Sequence, residues 1–165
     1  STDTKKMDAQ SAMEASLSIN AAMMSGANFV HDNGYTESGL TGDIFQTVLD
    51  EEIIGMARIV ESGVKVDNDT MAVDVINNVG PGGHYLYEDH TMNHFREHWM
   101  PTLMDRNSYE DWSEQGKKTM KDRVIEKTRG LIENYEGPIN KVPAEANEEI
   151  EKILREAEER QKNAS

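Results

Sequence analysis

The segment Ala27-Asn28-Phe29-Val30-His31 is the best strand candidate in a chain whose other apolar patterns are helical, and the predicted fold class depends on it. It is short and apolar, it is bounded by Gly26 and Gly34, and helical patterns precede and follow it. The order helix, buried strand, helix is typical of βα alternation, in which the strands build a parallel sheet. One strand cannot form a sheet, so we expect its neighbours to come from polypeptide N-terminal to Ser1.

The segments on both sides of this strand have the apolar periodicity of helices. The predicted helices cover residues 8–25, 50–62, 69–78, 88–99, 118–135 and 144–161, with a further helical turn that begins at Ser108. Asp50 and Asp69 are the predicted N-caps of the second and third. The apolar face of the first helix is predicted to contain Met13, Leu17 and Met24, widened by Ala12, Ala15, Ile19 and Ala22. The predicted inward residues of the later helices are Ile53, Ile54, Ala57 and Val60, then Val73 and Ile76, then Val124, Ile125, Thr128 and Leu131. The sequence therefore predicts a mainly α segment with about five or six helices and about one strand.

Composition limits the classes of function. The 165 residues suffice for one ordinary domain but not for a complete eight-stranded α/β barrel, which needs roughly 250. The net charge of -14 repels phosphate backbones, so nucleic acid is not expected as a partner. No apolar run reaches the length of about 20 residues that crosses a bilayer, and we expect a cytoplasmic protein with no membrane partner. The absence of cysteine excludes disulfides and thiolate metal sites.

Four of the five histidines lie between residues 80 and 106. If residues 88–99 are helical, His90, His94 and His98 fall at i, i+4 and i+8 and could share a face that holds a metal. The segment has no carboxylate in register and no His-Glu-x-x-His pattern. Capping, packing against Trp99 and hydrogen bonds to nearby carboxylates explain these histidines more simply, so no metal site is expected.

Two further features allow a functional and a structural interpretation. Gly82 and Gly83 could let a phosphate or another ligand approach the backbone, although glycines beside a proline more often form a plain turn. His31 and Asp32 follow the predicted strand, which is where barrel enzymes place their working groups, and a polar loop explains them equally well.

Eight short motifs occur along the chain in a characteristic order. They are Ser1-Thr2-Asp3-Thr4-Lys5, Asp8-Ala9-Gln10, Gly26-Ala27-Asn28, Asp50-Glu51-Glu52-Ile53, Val79-Gly80-Pro81-Gly82-Gly83-His84-Tyr85-Leu86, His90-Thr91-x-x-His94-Phe95-Arg96, Trp99-x-Pro101-x-Leu103-x-Asp105-Arg106 and Tyr109-x-x-Trp112. In this order they resemble the trimethylamine:corrinoid methyltransferase family over residues 1 to about 135.

The resemblance implies a (β/α)8 barrel, of which this chain would be the C-terminal part. It also implies transfer of a methyl group from trimethylamine to the cobalt of a separate corrinoid protein, as in methanogenesis from methylamines. In the trimethylamine members a pyrrolysine lies close upstream of a Thr-Asp-x-Lys segment that resembles Thr2-Asp3-Thr4-Lys5. The catalytic residue is therefore expected just before Ser1, and this chain alone is expected to be inactive.

If the chain is part of such a barrel, we also expect particular site residues and partners. The candidates for the barrel mouth or the corrinoid-docking face are His31, Gly82, Gly83, His84, Tyr85 and His90. The expected partners are a cognate corrinoid protein, trimethylamine and further copies of the chain in a homo-oligomer, with no cofactor bound directly. Residues 1–137 are expected to form the barrel part with its capping helices, and 138–165 a docking helix. The alternatives are a methyltransferase for glycine betaine or another quaternary amine, a non-catalytic helical interaction module, and a histidine-based metalloenzyme.

Overall fold

The computed structural model describes residues 1–137 and 142–163, and this part of the chain is mainly helical, as predicted. The helices are α1 (Ala9–Met24), α2 (Ile44–Ser62), α3 (Asn68–Met71), α4 (Val73–Val79), α5 (Asp89–His94), α6 (Tyr109–Glu114), α7 (Met120–Glu133) and α8 (Ala144–Asn163). Two short strands, β1 (Tyr35–Thr36) and β2 (Thr41–Gly42), pair antiparallel on either side of a 3-10 turn.

The chain divides into two compact units, Ser1–Gly130 and Leu131–Ser165. The first contains the hairpin, helices α1 to α6 and most of α7, and the second contains α8. The predicted boundary after Gly137 adjoins residues 138–141, which lie outside the described residues, and it stays a prediction. Among the described residues, none of the helices has both the length and the apolar character that a membrane crossing requires.

The predicted strand over Ala27–His31 is wrong. These residues form an irregular connection between α1 and the hairpin, and the Phe29 side chain is 79% exposed. A strand needs a neighbour to take its backbone N–H and C=O groups. In the structure the neighbouring backbone pairs elsewhere, in the hairpin of Tyr35–Thr36 with Thr41–Gly42. Strands of two residues are too short to show an apolar periodicity, so sequence patterns could not predict them.

The N-terminal residues extend this hairpin. The Thr2 N–H donates to the Tyr35 carbonyl at 3.0 Å, and the Ser38 N–H donates to the Thr2 carbonyl at 2.9 Å. The Glu37 N–H donates to the Thr4 carbonyl at 2.8 Å. Thr2 and Thr4 are both buried. The start of the chain is therefore held against the hairpin by backbone hydrogen bonds, which require no particular side chain.

Helix α1 begins where the sequence predicts, because the Asp8 carboxylate accepts from the N–H groups of the first turn. Its predicted apolar face is buried only in part. Ala15 and Ile19 of that face turn inward together with Ser11, whereas Met13, Leu17 and Met24 are exposed. Small residues on the contact face let α2 approach α1 closely, and this packing decides which of two apolar stripes is buried.

Helix α2 begins six residues earlier than predicted. Asp43 is its N-cap, and its carboxylate accepts from the N–H groups of Phe45 and Gln46. The predicted cap, Asp50, therefore lies in the middle of the helix, where it is buried. The predicted inward residues Ile53 and Ala57 are buried, but Val60 is exposed.

The structure also corrects the region after α2. The predicted helix 69–78 is split into α3 and α4 at Ala72, which has a left-handed backbone with φ 47°, and Asp67 is the N-cap in place of Asp69. Val73 and Ile76, predicted to face inward, are exposed. The predicted helix 88–99 ends at His94, so His98 does not share its face.

The later helices agree better with the sequence. Ser108 caps α6 by accepting from the Asp111 N–H, as its capping pattern predicts. Of the inward residues predicted for α7, Val124 and Thr128 are buried but Leu131 is exposed. Helix α8 differs from the predicted 144–161 only in its last residues.

A buried carboxylate joins α2 to a segment 50 residues further along the chain. Glu52 is 5% exposed. Its Oε2 accepts from the N–H and hydroxyl of Thr102 at 3.1 and 2.8 Å, and its Oε1 accepts from the N–H groups of Leu103 and Met104 at 2.8 and 3.2 Å. Burial opposes ionisation of Glu52, but these hydrogen bonds outweigh it and hold the pKa of the carboxyl below its usual value. Four donors thus satisfy one buried charge.

The same segment attaches α7 to the core. The Arg123 guanidinium donates to the Leu103 carbonyl and, at 3.1 Å, to the Asp105 carboxylate. The side chains of Leu103 and Val124 are 1% and 0% exposed and belong to one apolar core with Ile53. Burying a leucine and a valine in this way contributes about 1.5–3 kcal/mol each.

We predict that Glu52→Gln lowers the free energy of unfolding at neutral pH by about 2–4 kcal/mol, because an amide accepts through only one oxygen and carries no charge. The folded pKa of Glu52 lies below the ordinary 4.5. Its contribution is therefore present above pH 4.5 and is lost as the pH falls through the folded pKa. Urea unfolding between pH 3 and 7 measures both effects.

Glu51→Gln is the matched control, because Glu51 is exposed and its ion pair with Lys127 is a surface interaction. We expect this control to change stability by less than about 1 kcal/mol. Equal effects of the two variants at pH 7 would contradict a structural role for the Glu52 carboxylate.

Candidate functional site

A cavity of about 290 Å³ lies in the first compact unit, between the N-terminal residues, α1 and the loop that precedes the hairpin. Its wall consists of Ser1, Thr2, Ala15, Ser18, Ile19, Ala22, Phe29, Val30, His31, Asp32, Asn33 and Asp50. One wall is thus made of small and apolar side chains from α1, and the other carries aromatic rings and carboxylates. This mixture is typical of a site for a small ligand with an apolar body and a positive charge.

Asp50 is the buried charge in this wall, with 3% exposure. Its Oδ2 accepts from the Gly34 N–H and its Oδ1 accepts from the Gln46 amide, both at 2.7 Å. Burial raises the pKa of the carboxyl above its usual value, although these two hydrogen bonds and the positive charge of the N-terminal amine partly oppose the shift. Within residues 1–137 and 142–163, no lysine, arginine or histidine lies within salt-bridge distance of it. A cationic ligand would therefore relieve the cost of this burial.

The surroundings of Asp50 hold its donors in place. Gly34 has φ +79°, and a Cβ there would lie 2.0 Å from the Thr47 hydroxyl, so only glycine can present its N–H to the carboxylate. Gln46 is fully buried, and its Oε1 has no hydrogen-bond partner among the described residues. An orphaned acceptor beside a carboxylate with few donors leaves this polar pocket short of protons or positive charge.

The rim of the cavity is aromatic. His31 stacks on Phe29 with ring centroids 5.9 Å apart and an interplanar angle of 23°. The His31 Nδ1 lies 2.8 Å from a carboxylate oxygen of Asp32, which fixes the orientation of the imidazole. The faces of these rings and the nearby carboxylates attract cations. His31, a candidate from the sequence, therefore lies on the rim, although no strand precedes it.

The other five candidates lie elsewhere, and none of them lines this cavity. Gly82 and Gly83 form the turn after α4, where a Cβ on Gly83 would lie 2.6 Å from Val79. His84 packs edge-on against Tyr87, with centroids 5.1 Å apart, and Tyr85 is exposed. His90, on α5, donates from its Nε2 to the Asp69 carbonyl at 2.8 Å. The six candidates thus occupy two separate places in the first unit.

Sequence reasoning missed Asp50 as a site residue. Aspartate is common as a helix N-cap, so the sequence pattern predicts Asp50 as the N-cap of its helix. The one available signal was Asp43, which is followed directly by an apolar residue and is an equally good cap. Starting the helix there would have put a carboxylate inside an apolar helix, which marks a functional or strongly hydrogen-bonded group.

Comparison with known proteins identifies the family. The sequence model described as trimethylamine methyltransferase (MTTB) matches residues 1–162, which is nearly the whole chain. The chain belongs to the trimethylamine methyltransferase family. It is 38% identical over 138 residues to a glycine betaine methyltransferase of Desulfitobacterium hafniense strain Y51, with 82% of this chain and 29% of that protein covered.

Two further relatives are trimethylamine methyltransferases. The protein of Desulfitobacterium hafniense strain DCB-2 is 36% identical over 133 residues, with 81% of this chain and 27% of the relative covered. That of Methanosarcina barkeri strain Fusaro is 28% identical over 156 residues, with 94% and 31% covered. The chain therefore spans less than a third of the length of the family members that it matches.

We predict that Asp50→Asn leaves the free energy of unfolding at pH 7 unchanged or raises it by about 1 kcal/mol, because the amide carries no charge whose burial opposes folding. A flip of the Gln46 amide would let its Oε1 accept from the new amide, in exchange for the hydrogen bond that its Nε2 donates to Asp50. The folded pKa of Asp50 lies above the ordinary 3.8, so its ionisation disfavours folding at high pH and has no cost well below 3.8.

Urea unfolding at pH 3 and pH 7 measures this difference. The advantage of the variant should be present at pH 7 and should vanish at pH 3. A loss of 2 kcal/mol or more at pH 7, on the scale of a buried hydrogen-bonded charge that the fold requires, would show that Asp50 is a structural group like Glu52.

Proposed function

We propose that this chain is the C-terminal part of an enzyme that transfers a methyl group from trimethylamine to the cobalt of a separate corrinoid protein. Membership of the trimethylamine methyltransferase family supports the reaction class. The single observation on this chain that supports it best is the cavity wall with the buried carboxylate of Asp50, which forms no ion pair with a lysine, arginine or histidine among the described residues. Trimethylamine is protonated at neutral pH, so it would meet this wall as a compact cation with an apolar surface.

The chemistry of the wall suits such a cation. An ammonium carrying methyl groups donates at most one hydrogen bond, so most of its binding energy must come from charge and from contact with apolar and aromatic groups. Asp50 supplies the charge and the rim ring of Phe29 supplies an aromatic face. The cavity would hold the amine while a methyl group passed to the Co(I) of the corrinoid on its separate carrier protein, and dimethylamine would be released.

The same wall favours trimethylamine over glycine betaine, the alternative that one of the relatives suggests by name. Glycine betaine carries a carboxylate, which Asp50 and Asp32 would repel at close range. Nothing in the described wall offers it a lysine or arginine. An acidic wall therefore supports the substrate that has no negative group.

The barrel architecture belongs to this proposal as well. Helix α1 exposes Met13, Leu17 and Met24, and large apolar side chains in a row are normally covered by other polypeptide. We place this helix against the remainder of a (β/α)8 barrel, and we propose that the 165 residues alone transfer no methyl group. Turnover of trimethylamine by the purified 165-residue chain would contradict this.

The segment between α4 and α5 is our candidate for docking the corrinoid protein. Gly82 and Gly83 leave room for a partner, and His84, Tyr85 and His90 supply polar groups close by. Leu86 and Tyr87 in the same segment are strongly exposed. Exposed aromatic and aliphatic groups surrounded by polar ones are typical of protein interfaces.

The decisive test is methyl transfer by the complete methyltransferase with its corrinoid protein, with trimethylamine and glycine betaine compared as donors. We expect trimethylamine to be used and Asp50→Asn to lower kcat/KM at least about ten-fold, which corresponds to about 1.4 kcal/mol of lost cation binding. Glu51→Gln, one residue away and exposed, should retain activity. Preference for glycine betaine, or full activity of the Asp50 variant, would overturn the proposal.

A further inference from the structure

We propose that Asp69, His90 and His94 form a binding site for a divalent transition-metal ion of the zinc class. One side-chain ligand atom of each residue lies within 4.8 Å of the other two. The sequence pattern alone predicts no metal site here, because no carboxylate lies in register with these histidines. The fold supplies that carboxylate from another helix, 21 residues before His90.

Two short helices bring the three side chains together. His90 and His94 are one turn apart on α5, so their rings lie on the same face, with centroids 4.4 Å apart. Asp69 lies in the first turn of α3, whose start is fixed by a reciprocal capping box between Asp67 and Thr70. The carboxylate is therefore held by a fixed helix start, and not by a free loop.

The distances within the group suit closure around one ion. The His94 Nε2 lies 3.4 Å from the Asp69 Oδ2. The His90 Nε2 donates to the Asp69 carbonyl at 2.8 Å, which holds this ring beside the carboxylate. Zinc bonds of about 2.0–2.2 Å keep ligand atoms within about 4 Å of one another. Side-chain rotations that move the ligand atoms by about 1 Å would therefore bring all three within bonding distance of one ion. If His90 binds through Nε2, the metal bond replaces the hydrogen bond to the Asp69 carbonyl, because imidazole can move its proton to the other ring nitrogen.

A second, independent feature of the structure is typical of metal sites. The other ring nitrogen of His94, Nδ1, lies 2.9 Å from a carboxylate oxygen of Glu97. A histidine that binds a metal through one nitrogen usually donates from the other to a carboxylate, which fixes the ring and strengthens the ligand. Glu97 is in the right position for this role, so it is a positioning residue and not a ligand.

The ligand set defines the class of ion. Two imidazole nitrogens and one carboxylate oxygen suit zinc and its neighbours in the first transition row, whereas calcium and magnesium prefer oxygen alone. His90 and His94 are half-buried and Asp69 is exposed, so an ion can enter from solvent. Bound there, it would link α3 to α5 and so connect the two ends of the intervening segment, which contains α4.

Isothermal titration of the tag-free, metal-free protein with Zn²⁺ tests this site. We expect one ion per chain, with binding weakened at least about ten-fold by His90→Ala, His94→Ala or Asp69→Asn. Loss of a second carboxylate that orients a ligand typically costs 10- to 100-fold, so Glu97→Gln should weaken binding within about that range. His98→Ala and Asp74→Asn are the matched controls, because these residues lie close in sequence but outside the group.

Thermal unfolding with and without Zn²⁺ provides a second measurement, since an ion that binds only the folded state raises Tm. The rise should occur in the wild type and in the His98 and Asp74 controls, and it should be absent in the His90 and His94 variants. Circular dichroism shows whether each variant is folded before titration. No stoichiometric binding by the folded wild type, or equal binding by the ligand and control variants, would overturn the proposal.

Discussion

Four hydrogen bonds to one buried carboxylate connect parts of the chain that are distant in sequence. Glu52 is taken out of water by its place on α2, and an unpartnered charge there would cost several kcal/mol. The backbone N–H groups of Leu103 and Met104 and both donors of Thr102 remove that cost. Their arrangement in turn places Leu103 in the core and its carbonyl where Arg123 of α7 reaches it. The packing of α1, α2 and α7 therefore depends on the segment that satisfies Glu52.

Helix α2 carries two buried carboxylates with opposite properties. Asp50 and Glu52 are two residues apart, so they point to nearly opposite sides of the helix. Glu52 meets enough donors to lower its pKa, whereas burial raises the pKa of Asp50 despite two neutral donors and the positive N-terminus. Two carboxylates whose surroundings move their pKa values apart commonly have different tasks. Here one satisfies the fold, and the other leaves a demand for positive charge in a cavity wall, which the proposed ammonium substrate would supply.

Sequence patterns predicted some parts of this structure well, for physical reasons that can be named. Local signals such as the Ser108 cap depend on neighbouring residues only, and this prediction is confirmed. The strand over Ala27–His31 and the inward positions of Met13, Leu17, Val73 and Ile76 depend on which partner covers them, and these predictions are wrong. His31 lies on the cavity rim, but without the preceding strand on which its prediction rests. The carboxylate of Asp69 reaches His94 only through folding, so no spacing rule along the chain could have paired them.

The surroundings of α2 shift the pKa values of Asp50 and Glu52 in opposite directions. Carbon-13 NMR of the side-chain carboxyl groups, followed through a pH titration of the folded protein, measures both pKa values directly. We expect the pKa of Asp50 to lie above the ordinary aspartate pKa of 3.8, and the pKa of Glu52 to lie below the ordinary glutamate pKa of 4.5. Ordinary values for both groups, or a shift of either one in the opposite direction, would contradict it.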